Sequence, residues 1–234
     1  MKRIFCSIFL TGTLICQGQK TIDVDKNDGI TYSMFFTIGG EPYVSAKFTR
    51  LVSGTPYFID QWMKGTAIKS ETSTYKTGTL KLDLLEDQVH FLNAAGQEMI
   101  TTTPIKELTL TDTISGLSYH FVHSRSFPEG IAPKKGWYLQ KVDGKAGLYQ
   151  FFSKQLAETK PYGSATAEQT IYTRNEFYIY YHGTFRQVKK PKEVSSVLID
   201  KRKDLDEFFK KSESQKGTDE EQLARIVSYY NSLQ

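Results

Sequence analysis

The most regular pattern in the chain is "GTLKLDLLEDQVHFLNAAGQEMI". Leu80, Leu82 and Leu84 alternate with Thr79, Lys81 and Asp83, a period of two that predicts a strand with one buried face. Glu86-Asp87 supplies a turn, Val89 and Phe91 share a face of the next strand, and Asn93 to Gly96 turns the chain again. The stretch reads as an antiparallel meander, continued by "IKELTLT" and "GLSYHFVHS". "FPEGIAPKKG", with two prolines and two glycines, is a surface loop. "WYLQKVDGKAGLYQFF" is a hairpin turning at Asp143-Gly144. Three further short strands, "EQTIYTR", "EFYIYYHG" and "TFRQVKK", follow it. Upstream, "ITYSMFF" and "EPYVSAKFTRLV" read as two strands joined through Gly39-Gly40, and "SGTPYFIDQW" as a link.

Past Pro191 the period lengthens. Val194, Val197, Leu198, Leu205, Phe208 and Phe209 recur at helical spacing. The last segment carries a helix-start signature, with Thr218 as N-cap, Glu221 three residues on, and acidic Asp219 and Glu220 between them. Leu223, Ile226, Val227 and Tyr230 form its apolar face. The expected fold class is therefore mainly β (α+β): a meander or curved sheet of short antiparallel strands over residues 19–190. Two or three helices over 191–234 pack on it.

Residues 1–18 read differently. Lys2 and Arg3 precede an uncharged apolar run from Ile4 to Cys16, shorter than the roughly 20 residues a membrane helix needs. This is the pattern of a secretory signal peptide cleaved before Gln19. A lipoprotein signal would acylate Cys16 but calls for a small residue where Ile15 stands. Both cysteines, Cys6 and Cys16, lie in this segment, so the mature chain is cysteine-free and stabilised by its core. Thiol chemistry and cysteine-ligated zinc are thereby excluded from it. Removing Lys2 and Arg3 lowers the net charge from +4 to +2. The expected address is periplasmic or extracellular, including the periphery of the outer membrane, with no transmembrane segment in the mature chain.

The chain resembles a loosely defined set of uncharacterised secreted proteins of Bacteroidota. Three stretches carry the likeness: "WMKG" at 62–65, "YKTGTLKLDLLEDQVHF" at 75–91, and an acidic-start terminal helix ending in "YYNSL". The resemblance implies export to the periplasm or cell surface. It supplies no catalytic residue.

Candidate chemistry is sparse. In "NEFYIYYHGTFRQVKK", strand alternation places Phe177, Ile179 and Tyr181 on one face and Tyr178, Tyr180 and His182 on the other. Aromatics beside lysines suit single-stranded nucleic acid. Export, a near-neutral charge and the strand preference of aromatics argue against nucleic acid and for packing. The second face is then a semi-buried layer under the helices or a ligand platform. His120 and His123 face opposite sides of a strand, which does not suit a shared metal. "DVDKNDG" places Asp23, Asp25 and Asn27 like calcium ligands, but its glycine comes one residue late and Met34 stands where a glutamate is needed. No G-x-S-x-G, Walker or dinucleotide motif is present. No cofactor is implied. The expected function is that of an exported non-catalytic envelope protein contacting another envelope protein. The alternative is a β protein holding a small apolar or sugar ligand against Trp137, Tyr138, Tyr178 and Tyr180.

Overall fold

The structure, a computed structural model, describes residues 40–43, 49–70, 73–211 and 215–233. The signal segment, both cysteines, the Asp23–Gly29 stretch, the strand expected at 30–36 and Gly39 lie outside the described residues.

Twelve strands form one sheet among the described residues: β1 (Gly40–Pro42), β2 (Thr49–Ser53), β3 (Met63–Ser70), β4 (Ser73–Asp83), β5 (Gln88–Leu92), β6 (Glu98–Thr101), β7 (Glu107–Thr111), β8 (Ser118–His123), β9 (Trp137–Val142), β10 (Ala146–Thr159), β11 (Ala167–Tyr181) and β12 (Thr184–Val188). The order is β1-β6-β5-β4-β3-β7-β8-β9-β10-β11-β12, with β2 parallel to the outer half of β11. All other pairings are antiparallel. Helices α1 (Val194–Val197), α2 (Arg202–Lys210) and α3 (Asp219–Ser232) follow. The protein is mostly β with three C-terminal helices, as its periodicities predict.

The sheet is curled. Asp87, in the β4–β5 turn, is 3.0 Å from His123 at the end of β8. In a flat sheet those elements are at least three strand spacings apart, about 14 Å. The five residues Thr102 to Lys106 carry the chain from β6 to β7, past β5, β4 and β3. Bending is eased where Gly65 faces Gly78 beside a β-bulge. A Cβ on Gly65 would stand 2.5 Å from Leu80 and 2.9 Å from the Thr109 carbonyl. The interior is filled by Leu80, Leu82, Phe91, Leu108, Leu110 and Phe121, each fully buried. It is a packed core.

Beyond the curl, the same face of β10 to β12 carries Ala146, Leu148, Ile179 and Val188, and the helices cover it with Leu205, Leu223, Ile226, Val227 and Tyr230. Helix α3 begins at the anticipated capping box: the Thr218 hydroxyl accepts from the Glu221 N–H, and the Glu221 carboxylate accepts from the Thr218 N–H. Its far end is tied to the β9–β10 hairpin through Asn231. The Asn231 Oδ1 accepts from the Ala146 N–H at 2.9 Å, and Nδ2 donates to the carbonyls of Ala146 at 2.9 Å and Asp143 at 3.2 Å. Gly144 makes this approach possible, because a Cβ there would stand 2.5 Å from the Asn231 amide.

Three details depart from the strand-by-strand reading. "EQTIYTR" and "EFYIYYHG" are one 15-residue strand, β11, since Asn175 and Glu176 pair with β10 without a break. "EPYVSAKFTRLV" contributes to two strands on different parts of the sheet: β1 pairs with β6, β2 with β11. Gly40 accordingly sits in β1 opposite Thr101 rather than closing a turn. Alternation reports strand character but not the partner.

Candidate functional site

Asp87, His123 and Arg125 come together at the mouth of the curl. Asp87 sits in its turn with φ of 59°, a left-handed geometry tolerated best by Gly, Asn and Asp. Its carboxylate oxygens both lie 3.0 Å from Nε2 of the buried His123. The chain then turns through a single 3-10 turn, Ser124–Ser126, capped by His123 itself. The Arg125 backbone N–H donates to His123 Nδ1 at 3.1 Å and its Nε–H does so at 2.8 Å. The Arg125 Nη2 also lies 3.0 Å from Nε2, so the ring contacts both the guanidinium and the Asp87 carboxylate. The Arg125 Nη2 is 3.8 Å from Asp87 and partly exposed, so the guanidinium borders solvent.

Beside this cluster is a cleft of about 180 Å³ whose lining includes Asp87, Gln88, Thr101, Thr102, Thr103, Arg125 and Trp137. The Trp137 Nε1–H is buried and has no acceptor among the described residues. Such an orphan donor costs roughly 1–3 kcal/mol if nothing accepts from it. On the other side of Arg125 lies a shallower groove of about 490 Å³ bordered by Ser124, Gly130, Lys134 and Lys135. Arg125 thus stands between two openings, each of which also holds a carboxylate, Asp87 in the cleft and Glu129 in the groove.

The loop from Ser124 to Gly136 is fastened at its ends, where the Ser124 N–H donates to the Gly136 carbonyl at 2.8 Å and the Gly136 N–H to the Ser124 hydroxyl at 3.1 Å. Phe127 from this loop enters an aromatic cluster, 4.9 Å from the Phe185 ring and 5.5 Å from Tyr180. Tyr138, Tyr149 and Tyr178 complete it. Burial pushes the Tyr138 and Tyr149 hydroxyls up to about 12. The Tyr138 hydroxyl also donates to the Lys134 carbonyl and accepts from the Lys134 N–H.

Of the four residues singled out in the sequence, Tyr138, Tyr178 and Tyr180 thus come together, while Trp137 turns to the opposite face and lines the cleft. The Tyr178–Tyr180 face lies under the 124–136 loop and Phe185, not under the helices, which take the Ile179 face. His182 is not part of the stripe: it occupies the β11–β12 turn with φ of 47°, followed by Gly183 at 73°. His120 bonds Thr109 at 3.1 Å and is separated from His123 as strand alternation requires. Among the described residues, no group of three or more His, Cys, Asp or Glu stands ready for a metal ion, and no helix is long and apolar enough to cross a membrane.

Sequence reasoning missed Arg125, Asp87 as its partner, and the three threonines. "HSRS" at a strand end and the run "TTTP" were the available signals, but the 36 residues separating Asp87 from His123 concealed the pairing.

Beneath the loop, Glu176 accepts from Lys134 at 2.5 Å and from the Tyr178 hydroxyl at 2.7 Å. Burial alone would raise its carboxyl, but these bonds and the lysine charge outweigh it and hold the group below the usual carboxylate range. A depressed folded value means stability that is present above the unfolded value, near 4, and lost as pH falls through the folded one. Glu176→Gln should therefore flatten the acid limb of a urea-midpoint profile below about pH 4; an unchanged limb would remove Glu176 from the acid response.

Comparison of the chain with protein-family models, curated proteins and solved structures finds no match to any of them. Fold and site define a curled antiparallel sheet, closed by helices at one end and carrying at its mouth a polar cleft where Arg125 and Asp87 meet.

Proposed function

We propose that the protein is an exported, non-catalytic binding protein of the cell envelope, and that its β body recognises a small molecule bearing an oxyanion at Arg125. The observation that carries this is a cleft that sets the partly exposed Arg125 guanidinium beside three threonines and Trp137, whose buried Nε1–H has no acceptor among the described residues. A carboxylate, phosphate or sulfate oxygen satisfies all three donor types, and charge-assisted bonds from arginine are the strongest of them. The non-catalytic reading is supported by the engagement of His123 with Asp87 and Arg125, which gives the ring a structural role. The apolar or sugar ligand held by the tyrosines loses its support, because those rings pack on Phe127 and Phe185. Export is supported by the Lys2-Arg3 start and the apolar run behind it.

The test is thermal melting against inorganic phosphate, with chloride at matched ionic strength as control. At about 100-fold excess over Kd, phosphate should stabilise by about 2.7 kcal/mol, a rise of about 5–10 °C for a chain of this size. Arg125→Gln should abolish the phosphate increment, and Thr102→Val, which leaves His123 untouched, should reduce it. Equal melting in phosphate and chloride would overturn the reading.

A further inference from the structure

Strands β10 and β11 form a hairpin of 14 and 15 residues, in register from Ala146↔Tyr181 to Thr159↔Glu168. Strand β9 covers only the inner part of β10, pairing from Leu148 to Phe151. From Ser153 to Thr159 the second edge of β10 has no strand partner among the described residues, although β2 closes the far side of this arm by pairing with β11. An edge with free backbone donors and acceptors is a template for a further strand. The arm also exposes Leu51, Val52, Leu156 and Tyr172, so its surface is less polar than a blunted edge requires.

The sequence of this edge, "SKQLAET", is complementary to itself when run antiparallel. Centred on Leu156, it places Lys154 opposite Glu158 of a second copy, Leu156 opposite Leu156, and Glu158 opposite Lys154. All three share one face of the strand. On the other face Ser153 meets Thr159 and Gln155 meets Ala157, small or polar pairs with no charge. Registers centred on Lys154 or on Glu158 would set like charges face to face, which cross-strand pairing disfavours. Lys154 donates to the Thr173 hydroxyl at 2.9 Å and interacts with the Asp83 charge at longer range, and Glu158 accepts from the Gln169 amide at 2.9 Å.

We infer that β10 pairs with β10 of a second copy of this chain across a two-fold axis at Leu156, joining two three-stranded arms into one six-stranded sheet. The two-fold operation keeps the same sheet face on the same side in both copies, so the β bodies stand at opposite ends of the joined arms. The pairing goes beyond the oxyanion reading and does not depend on it, since Arg125 lies outside the arm.

Sedimentation velocity on the purified chain tests it. The wild type should sediment at twice the chain mass. Lys154→Glu and Glu158→Lys should each give monomers, because each sets like charges opposite one another twice. Mixing the two monomeric variants should restore a dimer, because each facing pair then joins a glutamate of one chain to a lysine of the other. The double variant K154E/E158K should dimerise alone. Recovery on mixing cannot come from misfolded chains. A wild type that stays monomeric would overturn the inference and leave the edge to a strand of another protein. Single variants that remain dimeric, or a mixture that remains monomeric, would overturn it as well.

Discussion

A chain ended after Gly217 should be insoluble or should lose its cooperative melt. The deletion strips α3 from the sheet and with it Leu223, Ile226, Val227 and Tyr230, all at 1% exposure or less. Full burial of such side chains stabilises by about 1.5–3 kcal/mol each. Together they contribute about 6–12 kcal/mol, comparable to the whole stability of a typical domain. The face left bare contains Ala146, Leu148 and Ile179, an apolar strip along two adjacent strands. Asn231→Ala is the milder counterpart. It removes the amide that bridges α3 to Ala146 and Asp143, should cost about 1–3 kcal/mol, and should leave the fold intact. A soluble truncated chain melting like the full one would contradict the sealing role of α3.

His123→Ala should lower stability by about 3 kcal/mol in urea denaturation. The imidazole is buried against Trp137, with ring centroids 4.9 Å apart, so its removal opens a cavity. It also deprives the Arg125 N–H of its acceptor and Asp87 of its donor, which adds the cost of unpaired polar groups. Asp87→Asn keeps a residue suited to the left-handed backbone and an acceptor for Nε2, and should cost about 1 kcal/mol. If His123→Ala were the less damaging of the two, the imidazole would not be what holds the turn, the strand end and the 3-10 turn together.

The meander, the Asp143-Gly144 hairpin and the capped final helix are legible in the sequence because each rests on local chemistry: period-two alternation, a turn dipeptide, a capping box. The curl is not, since it depends on which strands meet around the core, and alternation leaves partners unspecified. The site inherits that difficulty. His123 is visible as a strand histidine, but its carboxylate comes from a turn 36 residues earlier and reaches it only through the curl. Trp137 and Tyr138, expected to share a lining, are adjacent residues on a strand and so face opposite sides. Their separation follows from the same alternation that places Tyr178 and Tyr180 together.

The most direct test of the oxyanion reading is the indole ¹⁵N–¹H resonance of Trp137, assigned by its loss in Trp137→Phe, followed through a titration with inorganic phosphate. The predicted result is a saturable downfield shift of that resonance as its N–H gains an acceptor, while the indole of Trp62, stacked with Lys81, stays in place. A Trp137 signal that does not move at saturating phosphate would contradict the proposed function at its central atom.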